Sequence, residues 1–171
     1  LISKSKKYTC QLIILRPGLI YGPNVKGNFR NLLKLLNLNI PLPFNNCKNR
    51  RDLISVFNFS VIINKIISKE KLNYKIYNIS DNDNIDFHQL LILIKKNLNK
   101  KYNLFFKINS KFLYFLFIIF GQKKTYYSLY NNLKIDTSRL FREIDQTSFF
   151  STNYAIRKTC TDFLKTKNDK Y

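Results

Sequence analysis

The sequence predicts an α/β chain. Three observations carry this. Gln11–Leu15 (QLIIL) is a continuous apolar run of strand length, Tyr74–Ile79 (YKIYNI) alternates with period two, and apolar stripes at helical spacing stand around them. The chain has 171 residues, enough to bury a core, with 45% hydrophobic and 15% aromatic residues, which excludes a disordered polymer. The longest apolar run, Phe112–Phe120, is nine residues, about half of what a membrane-spanning helix needs.

In chain order, Leu1–Tyr8 reads as the end of a helix and Gln11–Leu15 as a short buried strand. Arg16-Pro17-Gly18 and Tyr21-Gly22-Pro23 break the chain twice at once, so a structured loop is expected after that strand. In open α/β sheets ligands collect at the carboxyl ends of strands. Asn28–Leu38 is a helix by its Phe29, Leu32, Leu33, Leu35 and Leu36 stripe, stopped by Pro41 and Pro43. A polar loop, Asn45–Arg51, leads into a strand at Asp52–Val56 and a helix at Asn58–Ser68. After the Tyr74–Ile79 strand, Asp86 with Gln89 fits a capping box that opens a helix running to Leu98. Leu104–Ile108 reads as a strand, and Lys111–Phe120 as an almost wholly apolar helix capped by Ser110 and closed by Gly121. Asp136–Ile144 is a short helix, and Ser151 opens a last amphipathic helix to about Thr166.

Thirty Lys+Arg stand against ten Asp+Glu, a formal charge of +20. Such a balance can signal nucleic acid or an anionic membrane. Lysine, asparagine and isoleucine, all with A/T-rich codons, make up more than a third of the chain, and alanine occurs once. The basic residues are scattered, so codon bias accounts for the charge, and only nonspecific polyanion binding at low salt is expected. Cys10, Cys47 and Cys160 form no CxxC pair, which fits free thiols in a reducing cytoplasm. The single histidine, His88, is expected at the surface of its helix, with no ligand-spaced partner for a metal. The strongest local site is Lys48-Asn49-Arg50-Arg51 beside a strand, because guanidinium forks match phosphate oxygens. The bland alternative is a solvated basic loop. No nucleophile–base constellation and no Gly-rich phosphate loop is visible.

Ile14-Leu15-Arg16-Pro17-Gly18-Leu19-Ile20-Tyr21-Gly22-Pro23 resembles the "ILRPxxxYGP" segment of extended short-chain dehydrogenases/reductases, more narrowly the NAD-dependent sugar-nucleotide epimerases and dehydratases of the UDP-glucose 4-epimerase type. Further segments resemble that family in order: Val25–Phe29 with Leu32-Leu33, Pro41–Phe44, Asn49–Val56 ("NRRSLVYV"), Tyr77–Asp81 ("FxVSD") and Leu133–Arg139 ("LxxDxSK").

The resemblance implies the carboxyl-terminal part of an extended Rossmann-type fold: 1–24 as the tail of the NAD-binding part and 25–171 as the substrate-binding α/β subdomain. It implies NAD as cofactor and a UDP-sugar as ligand. Pro17, Gly18 and Leu19 would lie near the nicotinamide, Asn28 near the sugar-nucleotide, Leu42 and Phe44 beside the uracil, and Arg51 on the diphosphate. The family's GxxGxxG loop and Tyr-xxx-Lys pair have no counterpart in the chain. The chain also lacks methionine, even at position 1. The expectation is therefore a portion of a cytoplasmic enzyme that is inactive alone, with a homodimer as the assembly the resemblance implies. A noncatalytic basic binding protein and a truncated gene remnant are the alternatives. The sequence departs from the family pattern at Leu19, where many members carry Asn, at Phe57-Asn58, where an Asp is usual, and at Ile144-Asp145-Gln146. A second phosphate-binding Arg cannot be placed.

Overall fold

The computed structural model describes residues 11–45, 49–83, 85–100, 105–107, 109–119, 121 and 132–168. Strand β1 (Ile14–Pro17) runs into β2 (Leu19–Tyr21), followed by α1 (Gly27–Asn37), β3 (Leu53–Ser55), α2 (Val56–Ile67), β4 (Ile76–Ile79), α3 (Phe87–Asn97), α4 (Ser110–Ile119), α5 (Ser138–Phe141) and α6 (Thr152–Asn168). Each strand pairing is parallel: β1 with β4, Ile14 opposite Ile76, and β2 with β3, Leu19 opposite Leu53.

Pro17-Gly18-Leu19 is thus a joint between two strands and not the open loop the Gly/Pro spacing suggests. The Gly18 amide still donates to the Ile79 carbonyl at 2.9 Å. The chain then changes partner, passing so close to Asp52 that a Cβ on Gly18 would stand 2.5 Å from the Asp52 carbonyl oxygen. Only glycine fits there.

The pleat divides the core. Leu53 packs against one cluster, built from Tyr21, Phe29, Leu33, Leu36, Leu91, Ile94, Ile156 and their neighbours on α1, α3 and α6. Ile54, the next residue, points into the other, with Ile62, Ile66, Tyr77, Ile79 and Leu140. Successive strand residues face opposite sides, so one short strand buries apolar area against helices on both.

The capping box forms as read: the Asp86 side chain accepts from the Gln89 amide at 2.8 Å, and Gln89 Oε1 accepts from the Asp86 amide at 2.9 Å. Ser55 caps α2 through its side chain and the Asn58 amide.

Several expectations change. The strand expected at Leu104–Ile108 is, in its described part, a single parallel bridge of Phe105 with Leu42. The helix expected over Asp136–Ile144 shrinks to α5, because the Asp136 carboxylate accepts from the Ser138 amide and so starts the turn two residues late. His88 is half-buried, with Nδ1 3.0 Å from the Phe44 carbonyl oxygen and its ring edge-on to Phe105. Lys95, read as part of a scattered basic surface, is fully buried, its ammonium 4.8 Å from the centre of the Phe105 ring. Cys160 is buried among apolar groups, which push its thiol up to about 12. The Leu1–Tyr8 helix, Cys10, Cys47 and Lys48 lie outside the described residues.

Candidate functional site

The carboxyl ends of β2, β3 and β4 meet at one buried carboxylate. Asp81 follows β4, and its amide donates to the Leu53 carbonyl at 2.8 Å, which ties it beside β3. One carboxylate oxygen accepts from the Tyr21 hydroxyl at 3.1 Å and the Ser55 amide at 2.9 Å. The other accepts from the Asn58 side-chain amide at 2.8 Å and, more weakly, from the Ser55 hydroxyl at 3.4 Å. Burial pushes Asp81 up to about 6, although the Asn58, Ser55 and Tyr21 hydrogen bonds pull the other way. Burial also drives the Tyr21 phenol well above its ordinary range, helped by the Asp81 charge. Tyr21 is therefore a neutral donor at every physiological pH.

Asn58 extends this network to the last helix. Its Nδ2 donates to the Phe150 carbonyl at 3.0 Å, and its Oδ1 accepts from the Phe150 amide at 2.7 Å. The start of α6 is clasped to the carboxyl end of β3 by a reciprocal amide pair. Sequence reading registered Asn58 as the start of a helix and as a departure from a family pattern.

Beside the network lies a small open cleft, with about 20 Å³ of free space, lined by Tyr21, Arg51, Asp81, Asp83 and Thr152. Leu53 and Ile85 supply its apolar wall. Arg51 enters from the amino end of β3, where its backbone bridges in parallel to Leu133. Its Nε is buried and has no hydrogen-bond partner among the described residues. Burial lowers its affinity for the proton, with no acidic neighbour offsetting this. An unpaired guanidinium nitrogen facing a cleft is a site for an anionic oxygen.

The other residues singled out in the sequence are distributed around the sheet. Pro17 and Leu19 are exposed at the β1–β2 joint, and Leu19 stands opposite Leu53, two residues along from Arg51. Asn28 is exposed in the first turn of α1, a helix whose amino end has no side-chain cap. Leu42 and Phe44 are each 6% exposed and sit in the apolar core, with Phe44 edge-on to Phe87. Neither lines the Arg51 cleft. Among the described residues no group of His, Cys, Asp and Glu could hold a metal ion, and no helix is long and apolar enough to cross a membrane.

No family model matches the chain. A UDP-glucose 4-epimerase of Vibrio cholerae is 32% identical over 92 residues, which is 53% of this chain and 28% of that protein. The similarity in sequence is thus to sugar-nucleotide epimerases, and it covers just over half of this chain. A lipid-linked N-acetylglucosamine (undecaprenol diphosphate) 4-epimerase of Escherichia coli O157:H7 is 29% identical over 90 residues, 53% of this chain and 27% of that protein.

The fold agrees along nearly the whole chain. A UDP-N-acetylglucosamine 4-epimerase from Bacillus cereus superimposes with a TM-score of 0.64 at 15% identity, over 92% of this chain and 47% of that one. A UDP-glucose 4-epimerase from Thermotoga maritima, solved with UDP-glucose, gives 0.62 at 14% identity, over 97% and 50%. The chain thus spans about half of each solved structure, and the matched stretch little more than a quarter of each curated relative.

Proposed function

We propose that the chain is the sugar-nucleotide-binding portion of an NAD-dependent epimerase or dehydratase, and that Arg51 binds the diphosphate of a UDP-sugar. The observation that carries this is the buried, unpartnered Arg51 Nε in a cleft at the sheet end. In a protein with a surplus of twenty positive charges, a half-buried guanidinium with its Nε shielded and no counter-ion is costly unless a ligand completes it.

Residues 25–171 form the nucleotide-sugar subdomain in this reading, and 1–24 end the cofactor-binding part. Asn28 lies near the nucleotide-sugar, and the backbone around Leu42 and Phe44 borders the uracil, their side chains anchoring that segment in the core. Pro17, Gly18 and Leu19 border the nicotinamide. NAD, when bound, supplies the hydride acceptor of the family's chemistry. The residues present fit only an edge of it: the β1–β2 joint is exposed and narrow, and no glycine-rich turn is available for its pyrophosphate. The acid/base pair and the cofactor clamp belong to a second half, and this chain alone does not catalyse epimerisation. Leu19 and Ile20 support a covering half, being 40% and 39% exposed although they stand in a strand. The reaction is placed in the cytoplasm.

The test is calorimetric titration of this chain with UDP-glucose. Arg51→Ala should weaken binding by about ten- to a hundredfold, the range for a charge-assisted hydrogen bond. Equal affinity of the variant and the parent chain overturns the assignment.

A further inference from the structure

We propose that Thr152, the first residue of α6, is a second contact for the same anionic ligand, its hydroxyl donating to a phosphate-type oxygen beside Arg51. This rests on the Arg51 reading and extends it to a residue for which the sequence carries no signal.

Two buried polar atoms without a hydrogen-bond partner line one cleft: Arg51 Nε and Thr152 Oγ1. Most buried polar atoms in folded proteins are satisfied, so two orphans on residues that line one cleft point to one missing partner. That partner must be an acceptor, because a guanidinium only donates. The other polar groups of the cleft are committed or unsuited. The Tyr21 hydroxyl gives its proton to Asp81, and its oxygen is the neighbour towards which the Thr152 hydroxyl acts as a donor, outside full hydrogen-bond geometry. Asp81 has both oxygens occupied by donors. Neither Asp81 nor Asp83 forms an ion pair with Arg51.

The position of Thr152 is held by structure and not by chance. The Asn58–Phe150 amide pair fixes the chain two residues before it. The Ser151 hydroxyl accepts from the Tyr154 amide and closes the first turn. Thr152 therefore arrives at the cleft from a rigid helix of 17 residues, whose amino end favours negative charge. A nucleoside diphosphate has the oxygens to fill this place, with Arg51 as the charged contact and Thr152 as the neutral one.

The experiment titrates the chain and its Thr152→Val, Thr152→Ser, Arg51→Ala and doubly substituted variants with UDP, inorganic pyrophosphate and uridine. Thr152→Val is expected to lose about tenfold in affinity for UDP and for pyrophosphate. Thr152→Ser keeps the hydroxyl and should bind like the parent, and uridine, without phosphate, should not distinguish the variants. The double variant should bind about as weakly as Arg51→Ala, because the two groups share one oxygen. If Thr152→Val binds UDP like the parent while Arg51→Ala does not, the Thr152 contact is overturned and Arg51 stands. If Arg51→Ala also binds like the parent, both fall. Should Thr152→Val fail to melt cooperatively, Thr152→Ala takes its place, and parent-like UDP binding by it overturns the proposal equally. A water between the two orphan atoms in place of a phosphate oxygen gives the same result as overturning: no change in pyrophosphate affinity.

Discussion

Asp81 poses a contest between two forces of opposite sign. Burial favours its neutral form, while four donors favour its charge. Burial wins in the geometry seen, and the carboxyl is pushed from 3.8 up to about 6. The folded protein then holds more protons than the unfolded chain between about pH 4 and pH 6. Stability must fall as pH rises through that window, the reverse of a salt-bridged carboxylate. The gap corresponds to about 3 kcal/mol. Asp81→Asn removes the titration and turns one acceptor into a donor facing Asn58 or Ser55. That variant should be less stable than the parent chain by more at pH 4 than at pH 7, the two gaps differing by about 3 kcal/mol. Urea unfolding of both proteins at each half pH unit gives the difference curve, in which all other titrations cancel. A flat curve, or a gap that grows toward pH 7, refutes the reasoning. It would mean that the four donors outweigh burial and hold Asp81 ionised.

Other consequences follow from single contacts. Gly18→Ala forces a methyl carbon to within 2.5 Å of the Asp52 carbonyl and must push β2 from β3. A loss of about 2 kcal/mol or more is expected in thermal melts, and a near-parental melting temperature would show that the joint can open freely. Asp86→Ala removes the acceptor for the Gln89 amide at the start of α3 and should cost about 1 kcal/mol, measured by chemical denaturation. An unchanged midpoint would mean that packing of Phe87 and Leu91 alone holds that turn. The Arg51 and Thr152 titrations above complete the set.

The elements legible in the sequence are those set by near neighbours. The Asp86–Gln89 box, the stripe of α1 and the alternation of β4 each lie within one turn or one strand, so the local chain contains the whole cause. β2 was not legible. Three residues between Pro17-Gly18 and Gly22-Pro23 look like a loop, and they form a strand because β3 lies alongside to pair with them. The described part of the Leu104–Ile108 run, 105–107, shows the converse: β-forming residues held by a bridge to Leu42.

The candidate site divides in the same way. Arg51 was visible as a basic residue beside a strand, since a guanidinium next to a Gly/Pro-rich sheet end carries its chemistry in its own side chain. Thr152, Asn58 and the buried state of Asp81 and Lys95 carry no such mark. For Asn58, Asp81 and Thr152 the partners lie 23 to 101 positions away, brought together when β2, β3 and β4 align and α6 closes on them. The sequence by itself determined the α/β order, the helix starts and the family the chain resembles, because propensity, periodicity and motif are short-range properties. Only the tertiary structure decided which charges are removed from water and which polar atoms are left without a partner. Desolvation depends on everything packed around a group, and no local stretch of sequence contains that.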